Sequence, residues 1–126
     1  MNQEPGSILT EKIIGIAINV HRKLGPGLLE SVYSQCLSHS LEQNGLRADR
    51  QVPLPLIFDG LRLDKAYQAD IIVENTVLLE LKSVERILPI HEFQRRTYLR
   101  LSPCRIGLLI NFNSVMLKDG LRRFIP

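Results

Sequence analysis

Apolar residues fall at positions 9, 13, 16, 17, 20 and 24 of the stretch ILTEKIIGIAINVHRKL (8–24). That is a helical period, and it predicts an amphipathic helix. Ser7 or Thr10 is placed to cap its start, and Gly25-Pro26-Gly27 stops it. From Leu28 to Asn44 a second stripe runs through Leu29, Val32, Tyr33, Cys36, Leu37, Ser40 and Leu41, with Gly45 where a helix commonly ends in a left-handed residue. The first 45 residues therefore read as a helical hairpin.

Beyond Gly45 the period falls from 3.6 to 2. QVPLPLIF (51–58) alternates Val52, Leu54, Leu56 and Phe58, and Pro53 and Pro55 make it an edge strand, because proline cannot donate to a ladder. Asp59-Gly60 is a turn signal, followed by Leu61-Arg62-Leu63 and the strand YQADIIV (67–73). Glu74-Asn75-Thr76 is a short polar break before VLLELKS (77–83). Pro89 stands where a helix can begin, and HEFQRRTYLRL (91–101) continues it to Ser102-Pro103. RIGLLINF (105–112) is apolar almost without interruption, as a buried parallel strand should be. Strand, helix and strand then make one right-handed crossover. MLKDGLRRFI (116–125) reads as a turn between two short edge segments. The order α-α-β-β-β-α-β predicts an α/β sandwich with a mixed sheet.

At 126 residues the chain is expected to form a single domain over 1–126. Its 44% hydrophobic and 23% charged residues exclude disordered, collagen-like and disulfide-scaffold classes. No apolar run approaches the roughly 20 residues that span a bilayer, so no membrane partner is expected. MNQEPGSILTEK lacks the basic and apolar regions of a secretory signal. Cys36 and Cys104 make neither a framework nor a metal-ligand pair by spacing, and a reducing, cytoplasmic location follows. Charge is unevenly spread. Residues 1–80 hold seven basic and ten acidic residues, a balance of −3, whereas residues 81–126 hold nine and three, a balance of +6. The last third is suited to a polyanion, although an ordinary solvated basic surface has the same composition.

The break at Asn75 carries the most chemistry. A hairpin centred there pairs Val73 with Val77, Ile72 with Leu78 and Asp70 with Glu80. The two acids would then have Cβ atoms about 4.5–5.5 Å apart. Lys82 shares their face by strand alternation, while Ile71, Val73, Leu79 and Leu81 point to the other. Like charges directly opposite one another are destabilising unless something offsets them, and hard oxygen ligands at this separation suit Mg²⁺. A two-residue loop would instead place Asp70 and Glu80 on opposite faces, leaving solvated charges on a strand.

Glu30 lies in the first turn of the second predicted helix, where a carboxylate favours the helix dipole or serves as a third acid. Tyr33, one turn later, supports it or packs in the core. Gln94 and Tyr98 share one face of the third helix. Arg95, Arg96 and Arg100 are guanidinium groups of the kind that bind phosphates bidentately, or else ordinary solvated arginines. His21 and His91 lack ligand spacing and are assigned structural or solvated roles.

GLLESVY at 27–33 matches a GxxExxY pattern, and VHRKLGPG, LELKS and GLLINF at 107–112 agree in order with it. Over residues 8–125 the chain resembles the GxxExxY protein family of the PD-(D/E)XK nuclease superfamily. The resemblance implies a restriction-endonuclease-like αβββαβ core, here with an extra N-terminal helix. It also implies a metal-binding Asp70, with Glu80 and Lys82 as the E-x-K pair and Glu30 as an additional helical glutamate. Gln94 and Tyr98 resemble the Q-x3-Y motif of nuclease domains attached to recombination helicases. Ala69 departs from the pattern, standing where the name-giving proline would be.

Together these readings lead to a DNA phosphodiesterase using Mg²⁺ or Mn²⁺. Asp70, Glu80, the Leu81 carbonyl and Glu30 would hold the metal, and Lys82 would activate water. Gln94 and Tyr98 would line the site, with Arg95, Arg96 and Arg100 on the nucleic-acid backbone. The alternative is a non-catalytic nucleic-acid-binding or accessory protein that retains the fold. Ile13, Ile14, Ile16, Ala17, Ile18 and Val20 further suggest a homodimer through the first helix.

Overall fold

A computed structural model describes residues 7–126, with the side chain of Ser7 outside the description. The first six residues of the stretch read for a secretory signal lie outside the described residues. The elements run α1 (Ser7–Leu24), α2 (Glu30–Gln43), β1 (Ala48–Phe58), β2 (Leu61–Val73), β3 (Val77–Lys82), α3 (Pro89–Leu101), β4 (Ile106–Asn111), a 3-10 turn (Leu117–Gly120) and β5 (Leu121–Phe124). The five strands form one sheet in the order β1-β2-β3-β4-β5. Only β3 and β4 pair in parallel, joined by the α3 crossover, and the other neighbours are antiparallel. The mixed α/β architecture is the one the periodicities predict. The tail differs in detail, since a 3-10 turn leads into a single strand antiparallel to β4.

Strand parity decides which core each residue joins. Ile71, Val73, Leu79 and Leu81 pack with Ile13, Ile16, Ala17 and Val20 of α1 and Tyr33, Leu37 and Leu41 of α2. On the opposite face Ile72, Leu78 and Leu109 pack with Leu99 of α3 and Phe124 of β5. Every apolar side chain taken fully out of water stabilises the fold by about 1.5–3 kcal/mol before entropy is counted. The α1 residues that suggested a dimer are used here. Ile13, Ile16, Ala17 and Val20 are buried within the chain, and Ile14 and Ile18 pack against the same core. Thr10 is buried inside α1 rather than capping it. Among the described residues no helix is long and apolar enough to cross a membrane.

β1 lies at the sheet edge, as its prolines require. Arg50 pairs with Ile71, and Val52 with Ala69, in one unbroken register. Yet Ile71 packs on the α1–α2 side while Val52 and Ala69 pack on the α3 side, and Arg50 hydrogen-bonds Ser34 of α2. Both strands therefore exchange faces between these pairs, at Gln51 and Asp70. Gln51 makes the exchange with a left-handed backbone, φ 51°.

Candidate functional site

The site grows from that exchange. The β2–β3 register is the one centred on Asn75, with Val73 on Val77, Ile72 on Leu78 and Ile71 on Leu79. The ladder ends there, one pair short of Asp70 and Glu80, where the strands part. The Asp70 carboxylate enters the gap and accepts the Leu81 N–H at 2.7 Å. The Phe112 N–H donates to the Lys82 carbonyl at 2.9 Å, so that carbonyl faces β4. Alternation then turns the Leu81 carbonyl the other way, toward Asp70.

Glu80 is 3% exposed. Its Oε2 accepts the Tyr67 hydroxyl at 2.5 Å, while Oε1 is buried and meets no donor among the described residues. Burial first, and then the Asp70 charge, push the Glu80 carboxyl up to about 8. Asp70 is raised by its own burial and by Glu30, against the lowering effect of the Leu81 N–H, Lys82 and Arg50. Tyr67 is held well above the usual phenol range by burial and by Glu80, so it stays protonated as a donor. Its ring lies flat on Tyr98, with 7° between the planes. Tyr98 is raised in turn by burial and by Glu80.

Other predicted residues fall around this pair in different ways. Lys82 is half-buried, and its charge reaches both Asp70 and Glu80. Glu30, the exposed first residue of α2, acts on Asp70 through its charge. Among the described residues no three His, Cys, Asp or Glu side chains converge as a ready metal cluster. Gln94 is half-buried on α3, one turn before Tyr98. Arg96 and Arg100 are exposed. Arg95 is not on their side of the helix. It is 7% exposed, lies over the Phe124 ring at 5.0 Å and pairs with Glu92 at 3.4 Å, so its guanidinium is turned away from a polyanion. His21 and His91 have structural roles: His21 Nε2 is 2.7 Å from the Ser114 carbonyl, and His91 Nδ1 accepts the Leu88 N–H at the start of α3.

Two participants escaped the sequence reading. Tyr67 is three residues from Asp70, and regular alternation would put the two on opposite faces. The exchange at Gln51 and Asp70 returns Tyr67 to Glu80. Arg50 reaches Asp70 by charge for the same reason, standing on the α2 side just before the exchange.

The donor chemistry fits a hard divalent cation. The half-buried Asp70 carboxylate, the buried Glu80 carboxylate with its orphaned oxygen, and the Leu81 carbonyl offer hard oxygen donors. No curated protein and no solved structure matches the chain. A family model for the PD-(D/E)XK nuclease superfamily matches residues 7–124. With the αβββαβ core in place and the D…E-x-K side chains at the parting of its strands, the chain belongs to the PD-(D/E)XK nuclease superfamily.

Proposed function

We propose that the protein is a divalent-metal-dependent nuclease that hydrolyses DNA phosphodiester bonds, formed as a single domain over residues 1–126 and of the GxxExxY type. The observation that carries this reading is the orphaned Glu80 Oε1 beside Asp70, since a buried carboxylate with an unmet oxygen and a second acid acting on it call for a cation. Asp70, Glu80 and the Leu81 carbonyl would hold Mg²⁺ or Mn²⁺, with Glu30 as an outer carboxylate. Such an ion supplies charge neutralisation at the phosphate and lowers the pKa of bound water.

The chain's own residues supply the rest. Lys82 would hold the attacking water by hydrogen bonds from its ammonium, and its positive charge would favour release of the water's proton to solvent. Tyr67, braced by Tyr98, fixes Glu80 Oε2 so that Oε1 faces the gap. Gln94 positions a phosphate oxygen, and Arg96 and Arg100 hold the backbone without regard to sequence. Both cysteines are free thiols, in keeping with a cytoplasmic setting.

The test is cleavage of single- and double-stranded DNA with Mg²⁺ or Mn²⁺. Turnover should fall at least about 100-fold in Glu80→Ala and Lys82→Ala, a loss of the size that follows removal of an essential catalytic group. Activity unchanged in both variants overturns the mechanism. Salt-sensitive DNA binding without metal-dependent turnover identifies a non-catalytic module instead.

A further inference from the structure

A closed circuit of contacts links the α1–α2 loop to the end of β3. Tyr33 is fully buried in α2, with its ring stacked on Phe112 at 4.4 Å and 10°. Its hydroxyl donates to the Gly25 carbonyl at 2.5 Å and accepts the Leu28 N–H at 3.1 Å. The Leu28 carbonyl accepts the Ser83 hydroxyl at 2.7 Å. Ser83 follows Lys82, whose carbonyl accepts the Phe112 N–H, and Phe112 returns the circuit to Tyr33.

This arrangement matters because the loop has little else to define it. Gly25 and Gly27 sit at φ +74° and +96°, a left-handed region open to glycine at low cost. Leu29, at the N-cap of α2, provides no side-chain cap. The start of α2, and with it Glu30, is therefore located by contacts across the molecule rather than by its own helix terminus.

We propose that Tyr33 and Ser83 are positioning residues, and that their circuit sets Glu30 at a fixed place relative to the carboxylate pair of β2 and β3. The G-x-x-E-x-x-Y spacing then has a mechanical meaning. The tyrosine one turn after the glutamate reaches back over it to lock the loop from which the glutamate departs. The inference rests on the reading of Asp70 and Glu80 as a metal site.

The experiment is calorimetric titration of the full chain with Mn²⁺ alone, alongside amide exchange of the metal-free protein. Tyr33→Phe keeps the stacked ring and removes the hydroxyl, while Ser83→Ala opens the circuit from outside the core. Each should weaken Mn²⁺ binding about tenfold, at the low end of what losing an outer-shell partner does to metal affinity. Each should also speed exchange of the Leu28 amide without metal. In a Glu30→Gln background neither should weaken Mn²⁺ binding further, because both act through Glu30.

The outcomes separate cleanly. A natural chain that binds no Mn²⁺ overturns the metal-site reading and this inference with it. If the natural chain binds and Tyr33→Phe and Ser83→Ala bind equally well, the metal site stands and the positioning role falls. Equal weakening in the Glu30→Gln background shows general packing instead, and also overturns it.

Discussion

At Glu80 two effects act in the same direction: burial disfavours the charged carboxylate, and Asp70 repels it. An unfolded Glu releases its proton near 4.5, whereas the folded one holds it to about 8. Between those values the folded state binds more protons than the unfolded, so stability falls as pH rises through the window. The raised Asp70 contributes with the same sign. Denaturant midpoints of the metal-free protein should therefore drop from pH 5 to pH 8, and Glu80→Gln should flatten that decline. A natural chain with a flat profile would show Glu80 to be an ordinary carboxylate. Tyr67→Phe removes a hydrogen bond that favours the ionised form, so its decline should extend to higher pH than that of the natural chain. Added Mn²⁺ should raise the midpoint most at pH 8, where the acids are ready to ionise around it.

Among the elements, β5 pairs with β4 along its length and closes on it most tightly at one point. Phe124 sits on Gly107, where an added Cβ would fall 2.1 Å from the Phe124 ring. Gly107→Ala should destabilise the protein by about 1–3 kcal/mol, as overpacking of a filled core does. Thermal melting that matches the natural chain would refute this account of the edge. The short edge strand shows how far patterns reach. Long periodic runs identified α1, α2, β3, α3 and β4, and loop parity at Asn75 gave the β2–β3 register. MLKDGLRRFI offered too few residues for a period, so it read as a turn between two short edge segments, where the structure has one 3-10 turn and one strand, β5, on β4. The same limit applies at the site. Asp70, Glu80 and Lys82 were legible because the register centred on Asn75 brings Asp70 toward Glu80 and alternation sets Lys82 on the Glu80 face. Tyr67 and Arg50 were hidden by the face exchange at Gln51, a non-glycine residue whose left-handed backbone no alternation pattern signals. Arg95 went the other way: its composition suited a phosphate, yet its helix position aims it at Phe124.

Across the whole molecule the sheet divides the two helical layers, and the carboxylate gap opens where β2 and β3 part between them. Arg96 and Arg100 are exposed on α3, the helix that also sets Tyr98 against Tyr67. Arg96→Ala should weaken DNA binding alike for all sequences and lower the slope of log affinity against log salt by about 1. Arg95→Ala should leave that slope unchanged and lower the melting temperature, because it removes packing against Phe124. Binding isotherms over a salt series, compared with melting curves, distinguish the two arginines.

The parallel seam between β3 and β4 has a consequence for biosynthesis. Glu30, Asp70, Glu80, Lys82, Gln94 and Tyr98 have all been translated before the strand that flanks β3 on its far side, Ile106–Asn111. A nascent chain arrested near residue 101 thus carries every proposed ligand but not the strand that flanks β3, so capacity for the ion should arrive abruptly once β4 and β5 have been made.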